Sequence, residues 1–98
     1  MRTIEQTAQF KRDHKRERRG QYRGIFEEEL LAVVGNLASD MPLAPKYRDH
    51  KLTGNWAKYR ECHILPDLLL IYRKIDADVR GQPSLWLMRL GSHSELNF

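Results

Sequence analysis

The stretch "YRECHILPDLLLIYRKI", Tyr59–Ile75, decides the fold. Two strand-like runs meet at Pro66, a residue that cannot donate to a sheet ladder, and Asp67 opens the second run. In the first run, alternation puts Tyr59, Glu61 and His63 on one face and Arg60, Cys62 and Ile64 on the other. A tight turn between successive runs predicts an antiparallel hairpin, with His63 and Asp67 brought close across it.

Working outward, "SLWLMRLG" (Ser84–Gly91) follows the polar tract "DADVRGQP" and extends the hairpin into an antiparallel meander. Upstream, "HKL" (His50–Leu52) is a further strand signal, cut off by "TGN", and "MRTIEQT" (Met1–Thr7) reads as a short first strand around Ile4. Thr7 suits a helix cap, and Ala8–Arg19 predicts a surface helix ending at Gly20. Phe26, Leu30, Val33 and Leu37 recur at helical spacing on one face, with Glu27, Glu28 and Glu29 in the first turns, where negative charge suits the helix dipole. Pro42 and Pro45 forbid its continuation. The expected fold is α+β: two N-terminal helices packed on one face of a mainly antiparallel, four- to five-stranded sheet, with residues 1–98 forming one domain.

The longest apolar run, "LLLI" (Leu68–Ile71), is strand-sized and far short of the ~20 residues that span a bilayer. The first residues lack the apolar segment of a secretory signal. A lone cysteine, Cys62, makes no internal disulfide and fits a reducing cytoplasm, so the chain reads as cytoplasmic. Lys and Arg number 17 against 13 Asp and Glu, and 8 of those 17 lie in the first 23 positions. Such charge attracts phosphate backbones or an acidic protein segment. Lys11, Arg12, Lys15, Arg16 and Arg19, together with Lys51, are the candidate RNA contacts; a solvated helix face is the plainer reading.

His14 lies in the basic helix and reads as exposed, whereas His50, His63 and His93 fall in or beside strands. If extension persists past Gly91, Arg89 and His93 share a face. RNA cleavage through the adjacent 2′-OH needs a base for the hydroxyl proton, an acid for the leaving 5′ oxygen, and positive charge on the phosphate. Histidine serves both proton roles near neutrality, arginine suits the phosphate, and Asp67 can orient a histidine or act as base. Phe98 can stack on a base. Each residue also has a structural reading: surface histidines, a turn aspartate, an Arg89 paired to an acidic neighbour, a core-plugging Phe98. A metal site of His50, His63, His93 and Asp67 is a further alternative, although no close-spaced ligand signature marks it.

The strings "YRDHKL", "GNW", "YRECHILPD" and "GSHSEL", in this order and spacing, resemble the YafQ branch of the RelE toxin superfamily, and "FKRDHKRERRG" and "PLAPKYRDH" extend the match over nearly the whole chain. The resemblance implies a RelE-like fold and a type II toxin that cuts mRNA in the ribosomal A site without a cofactor or metal. It also implies a cognate antitoxin, a monomeric free toxin and a higher-order complex. By motif, His50, His63, Asp67, Arg89 and His93 carry the catalytic roles, with His93 in proton transfer and Arg89 on the scissile phosphate. The family's motif has its aromatic directly after the Leu of "HSEL", whereas here Asn97 precedes Phe98. The competing readings are a relative with a non-RNA target, as in the gyrase-inhibiting ParE branch, and a silent module that binds RNA or antitoxin.

Overall fold

The computed structural model describes residues 1–96. The elements follow in the order β1 (Thr3–Gln6), α1 (Ala8–Glu17), α2 (Glu27–Ala38), β2 (His50–Lys51), β3 (Arg60–Leu65), β4 (Leu68–Ile75), β5 (Ser84–Gly91) and α3 (His93–Leu96), with 3-10 turns at Pro45–Tyr47 and Gly54–Trp56. The sheet has five strands in the order β1-β5-β4-β3-β2. The meander β3-β4-β5 is antiparallel as expected, and β1 departs from it by pairing parallel to β5, Thr3 opposite Ser84 through Gln6 opposite Leu87. No helix among the described residues is long and apolar enough to cross a membrane.

The two sheet faces differ as the alternation of Tyr59–Ile64 requires. Cys62 and Ile64 join Leu68, Leu70, Tyr72, Leu85, Leu87 and Leu90 in the main core, beneath Phe10 of α1 and Leu30, Val33 and Leu37 of α2. Burying one such leucine fully stabilises the fold by ~1.5–3 kcal/mol, so this layer holds the helices on the sheet. The opposite face carries a smaller cluster of Leu69, Ile71 and Leu96 with Leu52, Tyr59 and Met88. That face is otherwise open, and the catalytic candidates lie along it and its edge.

Helix α1 starts where Thr7 accepts a hydrogen bond from the Phe10 amide at 2.9 Å and donates its hydroxyl to the Met88 carbonyl at 2.9 Å. One side chain therefore caps the helix and ties it to β5. Thr7→Ala should cost about 1 kcal/mol, read as a lower urea midpoint with an unchanged m-value. The helix ends at Glu17, before the expected Arg19, and turns carry the chain to α2. His14 is not a free surface side chain. Its ring lies between those of Phe10 and Phe26, with centroids at 6.1 and 5.7 Å, and its Nε2 is 3.1 Å from Glu27 Oε2.

Beyond β5 the expected extension fails, because "SHSE" closes a capping box. The Ser92 Oγ accepts from the Glu95 amide at 3.1 Å, and Glu95 Oε1 accepts from the Ser92 amide at 2.8 Å. His93 is thus the first residue of a short helix. Gly91 permits the turn by close approach: a Cβ there would sit 2.7 Å from Arg16 Nη2 and 3.3 Å from Glu95 Cβ.

Candidate active site

Register sets out the open face in rows. His50 pairs with Glu61, Glu61 with Ile71, and Ile71 with Arg89, so one row holds two candidate residues and a carboxylate. The next row runs His63, Leu69, Gly91, and His93 follows two residues beyond Gly91. Strand pairing thus gathers residues separated by as much as 43 positions, His50 to His93, at one end of the sheet.

Each of these three imidazoles is anchored by the same atom. His93 Nδ1 lies 2.8 Å from Asp67 Oδ1, His63 Nδ1 3.1 Å from the Pro66 carbonyl, and His50 Nδ1 2.7 Å from the Arg48 carbonyl. Oxygen acceptors at Nδ1 place the proton there and leave each Nε2 lone pair for chemistry. The Asp67 carboxylate also accepts from the His93 backbone amide at 3.1 Å. The hydrogen bonds from His93 hold its pKa below the ordinary aspartate value. Asp67, expected close to His63 across the turn, hydrogen-bonds to His93, and the rings of His63 and His93 lie 5.8 Å apart.

Glu61 joins the set although sequence reading placed it only on the right face. Its Oε1 is 3.5 Å from His63 Nε2 and 3.6 Å from His50 Nε2, and the residue is buried. The signal was present in the alternation Tyr59-Glu61-His63, but the partnership with His50 depends on the two-residue pairing of β2 with β3. Behind His50, Tyr72 donates to Asp49, and Arg60 donates to the same carboxylate oxygen at 3.2 Å, which fixes the segment that carries the histidine.

Arg89 has an acidic partner in Asp13 of α1. Arg89 donates Nε to Asp13 Oδ2 at 2.7 Å, the Leu90 amide donates to the same oxygen at 3.0 Å, and Arg16 donates Nη1 to Oδ1 at 3.1 Å. Burial pushes the Asp13 carboxyl up, but the hydrogen bonds from Arg89, Leu90 and Gln9 outweigh it and hold its pKa below the ordinary value. The Arg89 Nη1 group has no partner among the described residues, so Asp13 aims the guanidinium without consuming all of it.

Arg16, expected among the RNA contacts, is instead committed to the protein: it pairs with Asp13, Glu17 and Glu95 and donates Nη2 to the Leu90 carbonyl at 2.8 Å. Lys11, Lys15, Arg19 and Lys51 are exposed, with no side-chain ion pair among the described residues, and Arg12 reaches only Gln9. Phe98 lies outside the described residues. Cys62 faces the core, where burial pushes its thiol pKa far up, so it is no nucleophile.

Glu61, His63 and His93 also bring one ligand atom each within 4.8 Å of one another, so these three can hold a metal ion. His50 and Asp67, which completed the four-residue set weighed from sequence, are not in that group.

Residues 2–97 match the family described as "Bacterial toxin of type II toxin-antitoxin system, YafQ". The chain belongs to the YafQ family of type II toxins. It is 31% identical over 96 residues to the mRNA interferase toxin YafQ of Escherichia coli K12, covering 97% of this chain and 95% of that one. A metal-bound toxin from Helicobacter pylori matches with a TM-score of 0.81 at 47% identity, over 98% of this chain and 99% of that one. The E. coli DinJ–YafQ complex matches with a TM-score of 0.78 at 33% identity, over 98% of each chain. The resemblance read from "YRECHILPD" and "GSHSEL" is therefore correct as to the YafQ family and the α+β fold, with α3 added to the two expected helices.

Proposed function

We propose that this YafQ-family chain is a ribosome-dependent endoribonuclease that cuts mRNA without a metal and is neutralised by a cognate antitoxin. The observation that carries the reading is the set of three imidazoles at one end of the open face, each held at Nδ1, with Nε2 of His63 and His50 3.5 and 3.6 Å from Glu61. The relative named an mRNA interferase and the relative solved with DinJ support it.

In the reaction, the 2′-OH attacks the adjacent phosphorus while one imidazole Nε2 takes its proton. A second, protonated imidazole delivers a proton to the departing 5′ oxygen, leaving a 2′,3′-cyclic phosphate. His93, oriented by Asp67, and His63, flanked by Glu61, are the two proton carriers; His50 and Glu61 stabilise charge, and Arg89 holds the phosphate through the part of its fork that Asp13 leaves open. The excess of basic residues suits both mRNA and an acidic antitoxin segment that folds on binding. The test is to map mRNA 5′ ends on translating ribosomes with and without the purified chain, and to identify the upstream terminus. New ends carrying cyclic phosphate are expected; arrested growth with intact mRNA and damaged DNA would move the target to the ParE type.

A second reading concerns metal. The Glu61, His63 and His93 donor set suits an ion such as Zn²⁺ or Cu²⁺, and a metal-bound relative has been solved. Such an ion takes up the lone pairs that proton transfer needs. Micromolar Zn²⁺ is therefore expected to inhibit cleavage of mRNA on translating ribosomes, and a zinc-selective chelator that spares Mg²⁺ to restore it; activation by Zn²⁺ would refute the metal-independent reading.

A further inference from the structure

Below the catalytic rows, the open face carries another row that the proposed chemistry does not use. Arg73 pairs with Trp86, Trp86 with Glu5, and continuation of the β3-β4 register from Arg60 opposite Tyr72 sets Tyr59 opposite Arg73. Tyr59, Arg73 and Trp86 thus lie side by side on three adjacent strands, with the backbones of Tyr59 and Trp86 about 10 Å apart across Arg73. They line a cavity of about 230 Å³ with Thr7, Ile75 and Met88. A wider hollow of about 670 Å³ shares Ile75 and Trp86 and continues the trough toward the 78–80 turn.

The charge in this row favours a phosphate-bearing occupant. The Arg73 side chain has no hydrogen bond or ion pair among the described residues, whereas Arg80, farther along the trough, is held by Glu5 and Asp78. Lys58, next to Tyr59, is exposed and likewise unpaired among the described residues. The Tyr59 ring is braced by Trp56, centroids 5.6 Å apart at 59°. Two half-buried aromatics beside an uncommitted guanidinium form a surface on which unpaired bases stack while the cation meets the backbone.

We propose that Tyr59, Arg73 and Trp86 form a stacking platform for a single-stranded RNA nucleotide flanking the cleaved bond. Along β3 the row is one pleat, about 7 Å, from Glu61 and about 13 Å from His63, so the trough is continuous with the catalytic end. The proposal rests on the RNA-cleaving reading above and adds the subsite that positions the strand.

The test separates the two. Anisotropy of a labelled single-stranded RNA decamer is measured on the full chain carrying His93→Gln, with the RNA checked to be intact after the titration. Adding Trp86→Ala should weaken binding about ten- to hundredfold, Trp86→Phe should recover most of it, and Arg73→Ala should reduce the salt dependence of log Kd. With His93 intact, Trp86→Ala should raise KM and leave kcat near the parent value. Binding within twofold of the parent in Trp86→Ala overturns the platform, even if the chain cuts RNA; so does a Trp86→Ala variant that loses only antitoxin association. A chain that binds RNA through Trp86 and cuts nothing refutes the nuclease reading and leaves the platform standing.

Discussion

His93→Gln should leave the fold and antitoxin binding intact and lower mRNA cleavage by ~10²–10⁴-fold, the range expected when a positioned proton carrier is removed. The side chain is half-exposed, with its ring hydrogen-bonded to Asp67 and lying beside that of His63, so its loss removes little packing. Gln can keep a hydrogen bond to Asp67 but offers no group that titrates near neutrality. Asp67→Asn should fall less, because Asn still accepts from the His93 amide and ring. Single-turnover cleavage reads both. Retention of more than a tenth of the parent rate by His93→Gln would remove His93 from the chemistry.

What the chain reveals before folding follows from how local each feature is. The β3-β4 hairpin is written in a proline turn and a two-residue alternation, and α2 in a repeat of apolar residues; both are local patterns, and both form. The pairing of β1 with β5 joins residues about 80 apart in sequence and leaves no local mark, which is why its parallel sense is visible only in the sheet. The terminal turn was written locally too. Ser92 and Glu95 spell a capping box, yet the strand momentum of Ser84–Gly91 suggests extension. The result changes His93 from a strand residue into the head of a helix, fixed through its own amide as well as its ring.

Charge was harder to assign than shape. In "KRDHKRERR" the basic residues read as one class, but docking of α1 against β5 divides them. Lys11, Lys15 and Arg19 face water, while Arg16 turns inward to Asp13, Glu17 and Glu95. Glu61 shows the same limit from the other side: its face is fixed by parity, its use by the strand that arrives beside it.

The largest expected loss of stability follows from that docking. Asp13 is fully buried and serves Arg89, Arg16, Gln9 and the Leu90 amide at once. Asp13→Asn keeps an acceptor oxygen but leaves two guanidiniums facing a neutral group. Because Arg89 and Arg16 remain partly solvated, with side-chain exposures of 27% and 40%, the cost falls below that of a wholly buried pair, at ~2–3 kcal/mol. The sign with pH is fixed. The folded-state pKa of Asp13 lies below its unfolded value, so its contribution is complete above that unfolded value, about 3.9, and is lost as pH falls through the folded-state pKa. Urea unfolding should therefore show a gap between parent and Asp13→Asn that is constant from pH 8 to 5 and closes only below about pH 4. If Arg89 holds the phosphate as proposed, cleavage should fall further than stability explains, because Arg89 loses the carboxylate that orients its guanidinium. A fully folded Asp13→Asn protein with parent activity would show that Arg89 finds its substrate unaided.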